Sequence, residues 1–378
     1  MRWLWLCGVL FALFTLPVAA QTETQSAEEL YRQQLEASGA DRLVGALPAD
    51  VQELLSELEL DGLDPSGYTQ LSVSRVTELL SGLLARESGG PLRTFGVLLG
   101  IVLLAALFSG LEGTAENRAL RQTYHGVAVL GAGGALLVPL FALLETVRQT
   151  VEQVTVFLIA YVPVYAAILA TGGRAGSALS YQTTLLGASQ LLTWLVGGVV
   201  FPVLTVSLAM GCTGAVAEGF CLESFSQTLH KAVLWVLGLF STAFSGLLSL
   251  QQMVTAAGDT LGNRVMKFSL SSFVPVVGGL LSEAYSTVVG CAGLLRTTVG
   301  VFGLIAVVLV ILPPLFSCIC WSVSLYLASS AAALFGLTPL EKLCRLVAGG
   351  VRVLIAVLAV FALLMVVSTS VIVFTAGR

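Results

Sequence analysis

No charged side chain occurs in the 44 residues between Arg296 and Glu341. Each charge at the centre of a bilayer costs roughly 2.5 to 3.5 kcal/mol on insertion scales, so long uncharged runs are typical of membrane-spanning helices. The whole chain shares this bias, since 56% of its residues are hydrophobic and 11% are charged. We therefore predict an all-α, polytopic integral membrane protein built as a helical bundle.

Other uncharged runs predict six clear spans. They lie near 95–111, 124–144, 154–171, 185–210, 231–250 and 353–376. The run after Arg296 is longer than one helix needs, and Pro313–Pro314 would let it fold as a tight hairpin of two short spans. If residues 272–295 re-enter as a hairpin, Arg296 lies inside and 298–337 forms two spans. If 272–295 crosses, Arg296 lies outside and 298–337 is one long or broken span. Seven or eight spans result.

The N-terminal part of the chain predicts a different environment. Residues 1–20 combine a basic Arg2, an apolar run and small residues before a cleavage position, as in a cleavable signal peptide; an uncleaved transmembrane helix is the alternative. Residues 21–93 carry 13 acidic and 5 basic side chains and read as short amphipathic helices, one of them over Ser74–Glu87. We predict a small acidic extracytoplasmic helical region there, followed by a transmembrane domain over 94–378.

Basic residues in the loops predict the orientation of the chain. With residues 21–93 outside, eight basic residues face inside and three face outside, as the positive-inside rule requires. The inside set is Arg118, Arg121, Arg174, Arg264, Lys267, Lys342, Arg345 and Arg352, and the outside set is Arg148, Lys231 and Arg378.

Motifs of catalysis are absent from the sequence. It contains no G-x-S-x-G elbow, no H-E-x-x-H, no phosphate-binding loop and no pair of carboxylates within one membrane segment. Two histidines and seven scattered cysteines lack metal-ligand spacing, so we expect no metal, no cofactor and no catalytic residue. The charge distribution shows no nucleic-acid footprint.

One apolar stretch, FSLSSFVPVVGGLLSEAYSTVVG over residues 268–290, carries residues unusual for a span. Steps of four and three along a helix place Glu283 on one stripe with small residues, which lets another backbone approach and keeps the carboxylate from lipid. A solvated position of Glu283 at the interface is the alternative. The candidate intramembrane packing or pore residues are Phe273, Pro275, Gly278, Gly279, Glu283, Ser286 and Gly290.

Small residues recur in two other predicted spans. Gly96 and Gly100 form a G-x-x-x-G pair, and Gly238, Thr242 and Gly246 form a second stripe. Such stripes favour packing between neighbouring helices of one chain, and contact between two copies of the chain is the alternative. The sequence therefore leaves a homo-oligomer open.

The block KFSLSSFVPVVGGLLSEAYSTVVGCAGLLR, from Lys267 to Arg296, resembles the stage III sporulation protein AE family of endospore-forming Firmicutes. The likeness extends over the chain in its order of signal peptide, short helical region and polytopic core. It implies a subunit of a multi-protein channel or feeding-tube complex in the mother-cell membrane around the forespore. The implied partners are other products of the stage III sporulation A operon and the forespore protein Q. The family offers no catalytic residues to carry over.

Function is therefore expected to be that of a non-enzymatic membrane subunit of a sporulation channel complex. One alternative is a stand-alone secondary transporter with Glu283 as an intramembrane proton or cation site on a broken helix. Another is a membrane scaffold whose work is done by residues 21–93, for which deletion of that region alone would destroy function while the core still inserts.

Overall fold

The computed structural model describes residues 27–60, 63, 73–111, 118–216, 222–273 and 278–376. Every regular element in these ranges is helical, as predicted. The N-terminal region begins with α1 (Ala27–Ser38), two 3-10 turns (Ala40–Arg42 and Val44–Ala46) and α2 (Ala49–Glu57). The predicted signal peptide lies outside the described residues. The division of the chain at residues 20 and 93 stays a prediction.

Six long helical stretches follow and form the bundle. They are α3 (Val73–Leu111), α4 (Arg118–Thr171), α5 (Ala175–Leu195) continued into α6 (Phe201–Val216), α7 (Leu222–Phe273), α8 (Gly278–Leu334) and α9 (Thr338–Ala376). Within the described ranges, six stretches are long and apolar enough to cross a membrane. The prediction of an all-α polytopic membrane bundle is confirmed, whereas the exact number of crossings stays a prediction.

Helix α4 contains two of the predicted spans in one continuous helix. With 54 residues at about 1.5 Å per residue it extends roughly 80 Å, far more than the roughly 30 Å of a hydrocarbon core. Arg148 lies between the two apolar runs, exposed, and donates to Glu145 at 2.9 Å and to Glu152 at 3.2 Å. These pairs at helical spacing stabilise the helix where a loop was expected, because they satisfy the charges along one helix face.

Helix α8 runs without reversal from Gly278 to Leu334 and passes through Pro313 and Pro314. The possible hairpin at these prolines is therefore wrong, and 298–334 lies on one long helix. A proline fixes φ near the helical value, so its cost is a lost hydrogen bond and a steric push on the preceding turn. Neighbouring helices pack around the pair, and Pro314 is buried. This packing holds the helix together across the prolines.

A π turn at Val196–Val200 joins α5 to α6. The N–H of Phe201 bonds to the carbonyl of Val196, five residues earlier. Pro202 follows at once, and it can offer no N–H to the turn before it. The wider turn accommodates the proline without ending the helix, so Pro202 distorts this stretch as its chemistry predicts but does not break it.

Helices α8 and α9 pack against each other at the centre of the bundle, and α3, α4 and α7 surround them. The N-terminal helices lie against the flank of this bundle, where the Gln34 amide donates to the Val288 carbonyl at 3.2 Å. Ala292, one turn further along α8, lies against Gly172 beside the α4–α5 turn. Helix α1 and the turn containing Arg174 are thus at one level of the bundle. The orientation derived from basic residues had placed them on opposite sides of the membrane.

Candidate functional site: an aromatic and polar interior

The stretch that contains the predicted site residues joins α7 to α8. Helix α7 ends at Phe273, and α8 begins at Gly278. Pro275 lies outside the described residues, and so do the side chains of Phe273, Glu283 and Ser286. Gly278 and Gly279 open α8, and their surroundings are likewise not described. Gly290 is exposed, with no atom within 4 Å of the position that a Cβ would occupy. The packing or pore role of these residues stays a prediction.

An aromatic stack fills the space between α4, α5 and α8. Phe157, Tyr161 and Tyr165 follow one another along α4 at helical spacing, with ring centroids 5.5 Å apart at each step. Tyr181 of α5 continues the row at 5.2 Å from Tyr165, and Phe302 of α8 meets Phe157 edge-on at 6.4 Å. All five side chains have no solvent exposure. Such offset and edge contacts each contribute about 0.5 to 1.5 kcal/mol beyond the burial of area.

Two glycines of α8 shape the surface on which the stack rests. A Cβ atom at Gly303 would overlap the ring of Tyr161, and one at Gly300 would lie 3.0 Å from the Tyr165 hydroxyl. Small residues on one helix thus admit large rings from another, as in other membrane helix pairs. The close approach of α4 to α8 at this level depends on the absence of side chains at residues 300 and 303.

The hydroxyl groups of the stack differ in their hydrogen bonds. The Tyr161 hydroxyl donates to the Val299 carbonyl at 3.2 Å, which joins α4 to α8. The Tyr165 hydroxyl is buried without a hydrogen-bond partner, and so is the Nε of Arg296. A buried polar group without a partner costs free energy, so these two atoms make the interior polar at this level without stabilising it.

Asp259 of α7 caps the N-terminus of α5. Its carboxylate accepts the backbone N–H groups of Gly176 and Ser177, each at 3.0 Å, and the Ser177 hydroxyl at 2.5 Å. The first N–H groups of a helix have no partner within the helix and carry a partial positive charge. A carboxylate from a neighbouring helix satisfies both needs, so Asp259 fixes the position of α5 against α7.

Two further polar contacts and a cavity continue this interface. The Gln251 side-chain oxygen accepts the hydroxyls of Ser180, at 3.0 Å, and of Thr184. Beside it, a cavity of about 490 Å³ opens between α5 and α7, with walls that include Phe244 and Leu247. Its lining is mostly apolar, so the cavity suits a hydrocarbon group. In the described part of the chain, no three His, Cys, Asp or Glu side chains group together as a metal site.

Residues 60–376 match the family described as stage III sporulation protein AE, and this range contains the aromatic stack, Asp259 and all six long stretches. The chain belongs to this family. Stage III sporulation protein AE of Bacillus subtilis (strain 168) is 24% identical over 287 residues, which cover 75% of this chain and 72% of the relative. No solved structure matches the chain. Membership of the stage III sporulation protein AE family confirms the resemblance of the 267–296 block and a role in sporulation.

The aromatic stack and the cap formed by Asp259 were not predicted from the sequence of this stage III sporulation protein AE family member. Two signals pointed to them. Tyr161 and Tyr165 repeat four residues apart inside an uncharged run, and Asp259 is the one carboxylate between Glu223 and Glu283. Neither signal predicts the residue that is contacted, because Gly303, which faces Tyr161, and Ser177, which binds Asp259, lie far away in the sequence.

Proposed function

We propose that this protein is a non-enzymatic membrane subunit of a channel complex that connects the mother cell with the forespore during endospore formation. It would lie in the mother-cell membrane around the forespore, with residues 21–93 in the intermembrane space. Membership of the stage III sporulation protein AE family supports a role at this stage. The other products of the stage III sporulation A operon and the forespore protein Q are the proposed partners.

The observation that carries the proposal is the filled interior of the bundle. The aromatic stack closes the space between α4, α5 and α8 with five fully buried rings. A solute could pass at this level only if those rings moved apart, and interiors packed at this density resist such movement. A subunit that acts with other chains fits this arrangement better than a stand-alone pore through its own centre.

The N-terminal region offers a surface for partner proteins. A cleft of about 540 Å³ lies between α2 and α3, with Leu54, Leu79 and Leu83 among its lining residues. Glu57, Arg75, Glu78 and Arg86 add charges of both signs to the same cleft. Apolar contact area bordered by alternating charges is suited to specific protein contacts, because charge pattern selects the partner.

In vivo photocrosslinking tests the proposal. The chain would replace the resident stage III sporulation protein AE in a sporulating host, with a photoreactive amino acid at Glu78 in the cleft. The matched control carries it at Val138, which is 77% exposed on the apolar surface of α4. We expect crosslinks from position 78 to other proteins of the same operon during engulfment, and none from position 138.

Two results would contradict this function. One is the lack of any protein crosslink from position 78 in cells that complete sporulation with this chain. The other is uptake of a solute by the purified protein alone in liposomes, abolished by Glu283→Gln, which would support the secondary transporter.

A further inference from the structure

A small basic pocket lies between α7 and α9, on a different side of the bundle from the N-terminal helices. It has a volume of about 180 Å³, and four residues of each helix line it. Lys231 belongs to the lining from α7, while Arg345 and Arg352 belong to it from α9. Three cationic side chains therefore converge on a space that holds a few heavy atoms.

The floor of the basic pocket is fixed by a buried histidine. The His230 ring is 5% exposed, and its Nε2 lies 2.9 Å from the Ser207 hydroxyl on α6. On the α9 side, a Cβ atom at Gly349 would lie 2.9 Å from Nδ1 of the same ring. The glycine therefore permits α9 to come close to α7 here. The pocket is a formed feature of the helix interface.

Positive charge in the pocket exceeds what nearby carboxylates neutralise. Arg345 is paired with Glu341 at 2.6 Å. Among the residues that the structure describes, no carboxylate lies within ion-pairing distance of Lys231 or Arg352. The Arg352 guanidinium lies 5.4 Å from the centre of the Tyr326 ring, a cation–π contact that does not neutralise its charge. Within the described part of the chain, Lys231 and Arg352 thus offer two positive charges to an anion.

The basic pocket also lies where two apolar helix segments begin. After Lys231, α7 has no charge until Asp259, and after Arg352, α9 has none up to its end at Ala376. The two helices pack side by side, and His230 meets Gly349 just before both segments, so the segments begin at the same level. Trp235, one turn beyond Lys231, is 69% exposed. Basic residues followed by an exposed tryptophan are typical of the membrane–water interface.

We propose that the basic pocket binds the phosphate of an anionic phospholipid, with the acyl chains along the exposed apolar face of α7. Arginine and lysine hold phosphate oxygens through charge-assisted hydrogen bonds, and basic pockets between membrane helices bind such head groups. The adjacent apolar surface, which includes Leu234, Trp235 and Leu239, favours a lipid over a soluble phosphate or an acidic peptide. The inference does not depend on the proposed channel function.

Lipid titration of the full-length protein tests the site. The detergent-purified protein would be titrated with phosphatidylglycerol, with phosphatidylcholine and with soluble glycerol 3-phosphate, and binding would be measured by native mass spectrometry. We expect phosphatidylglycerol to bind in preference to the other two. At roughly fivefold per basic residue, the double variant Lys231→Gln/Arg352→Gln should lose about 25-fold in affinity for phosphatidylglycerol.

The matched control is Arg93→Gln/Arg148→Gln, which removes the same charge from exposed positions outside the pocket. It should retain the wild-type preference. An equal loss in this control would overturn the proposal, because the effect would then come from net charge. The proposal would also be overturned if the wild type bound phosphatidylcholine as tightly as phosphatidylglycerol. The same holds if glycerol 3-phosphate bound as tightly as phosphatidylglycerol. The comparison of the three ligands on the wild-type protein tests the proposal even if the double variant does not fold.

Discussion

The phenol ring of Tyr161 occupies the space that a Cβ atom at residue 303 would need. Residue 303 must therefore be glycine for α4 and α8 to keep their present distance. We expect Gly303→Ala to lower the free energy of unfolding by roughly 1 to 3 kcal/mol, because the added methyl group has to move a packed ring. Thermal unfolding in detergent measures this loss.

Gly290→Ala on the same helix is the control for that substitution. Gly290 is exposed with open space around it, so alanine there should cause no loss and stabilise the helix by up to about 1 kcal/mol. Equal stability of Gly303→Ala and wild type would show that the Tyr161 ring is not packed as described.

Tyrosine-to-phenylalanine changes at residues 161 and 165 compare two of the three hydroxyl groups of the stack. Tyr161→Phe removes the hydrogen bond to Val299 and should cost about 1 kcal/mol. Tyr165→Phe removes a buried hydroxyl without a partner, so it should be neutral or stabilising. The ring areas are the same, which makes the pair a matched comparison in thermal unfolding. A larger loss for Tyr165→Phe than for Tyr161→Phe would argue against this assignment.

The cap formed by Asp259 gives a graded prediction. Asp259→Ala leaves two N–H groups of α5 without an acceptor and should cost about 1 to 2 kcal/mol. Asp259→Asn keeps one oxygen and loses the charge, so its cost should be smaller. Unfolding measurements on both variants check the order, and an identical loss in the two would mean that the charge alone matters.

Accessibility labelling tests the level at which the N-terminal helices lie. Single cysteines at Glu36 and Thr171, in a background without native cysteines, should react with an impermeant reagent from the same side of the membrane. The reason is that Gln34 contacts Val288, one turn from the Ala292 that lies against Gly172. Labelling of the two positions from opposite sides would restore the orientation derived from the basic residues. Leu334, about 70 Å along α8 from Val288, is the contrasting position and should differ from both.

Uncharged runs predicted the class of the protein well, because the cost of a buried charge acts on each residue separately. The same reasoning was weak on where helices end. Residues 124–144 and 154–171 were read as two spans, since the charges between them suggested a loop, yet Arg148 pairs with Glu145 and Glu152 along one continuous helix. Charged residues between two apolar runs can form a loop, or they can form ion pairs along one continuous helix. Their spacing in the sequence distinguishes these two cases only weakly.

Helix contacts were less predictable still. Gly96, Gly100, Gly238 and Gly246 were expected to pack against neighbouring helices, and the space around each of them is open in this chain. Two glycines that do admit a neighbour, Gly300 and Gly303, were not predicted from the sequence. A close approach needs a large side chain on the facing helix, and that partner is chosen by the three-dimensional fold.

The π turn at Val196–Val200 fits one more residue into a turn than an α-helix allows. One residue corresponds to about 100° of rotation about the helix axis. The segment after the turn is therefore out of phase with the segment before it, and in that phase the Ser207 hydroxyl lies 2.9 Å from His230 Nε2. Deleting either Gly197 or Gly198 would leave both segments intact and turn every later side chain of α6 toward the wrong neighbour.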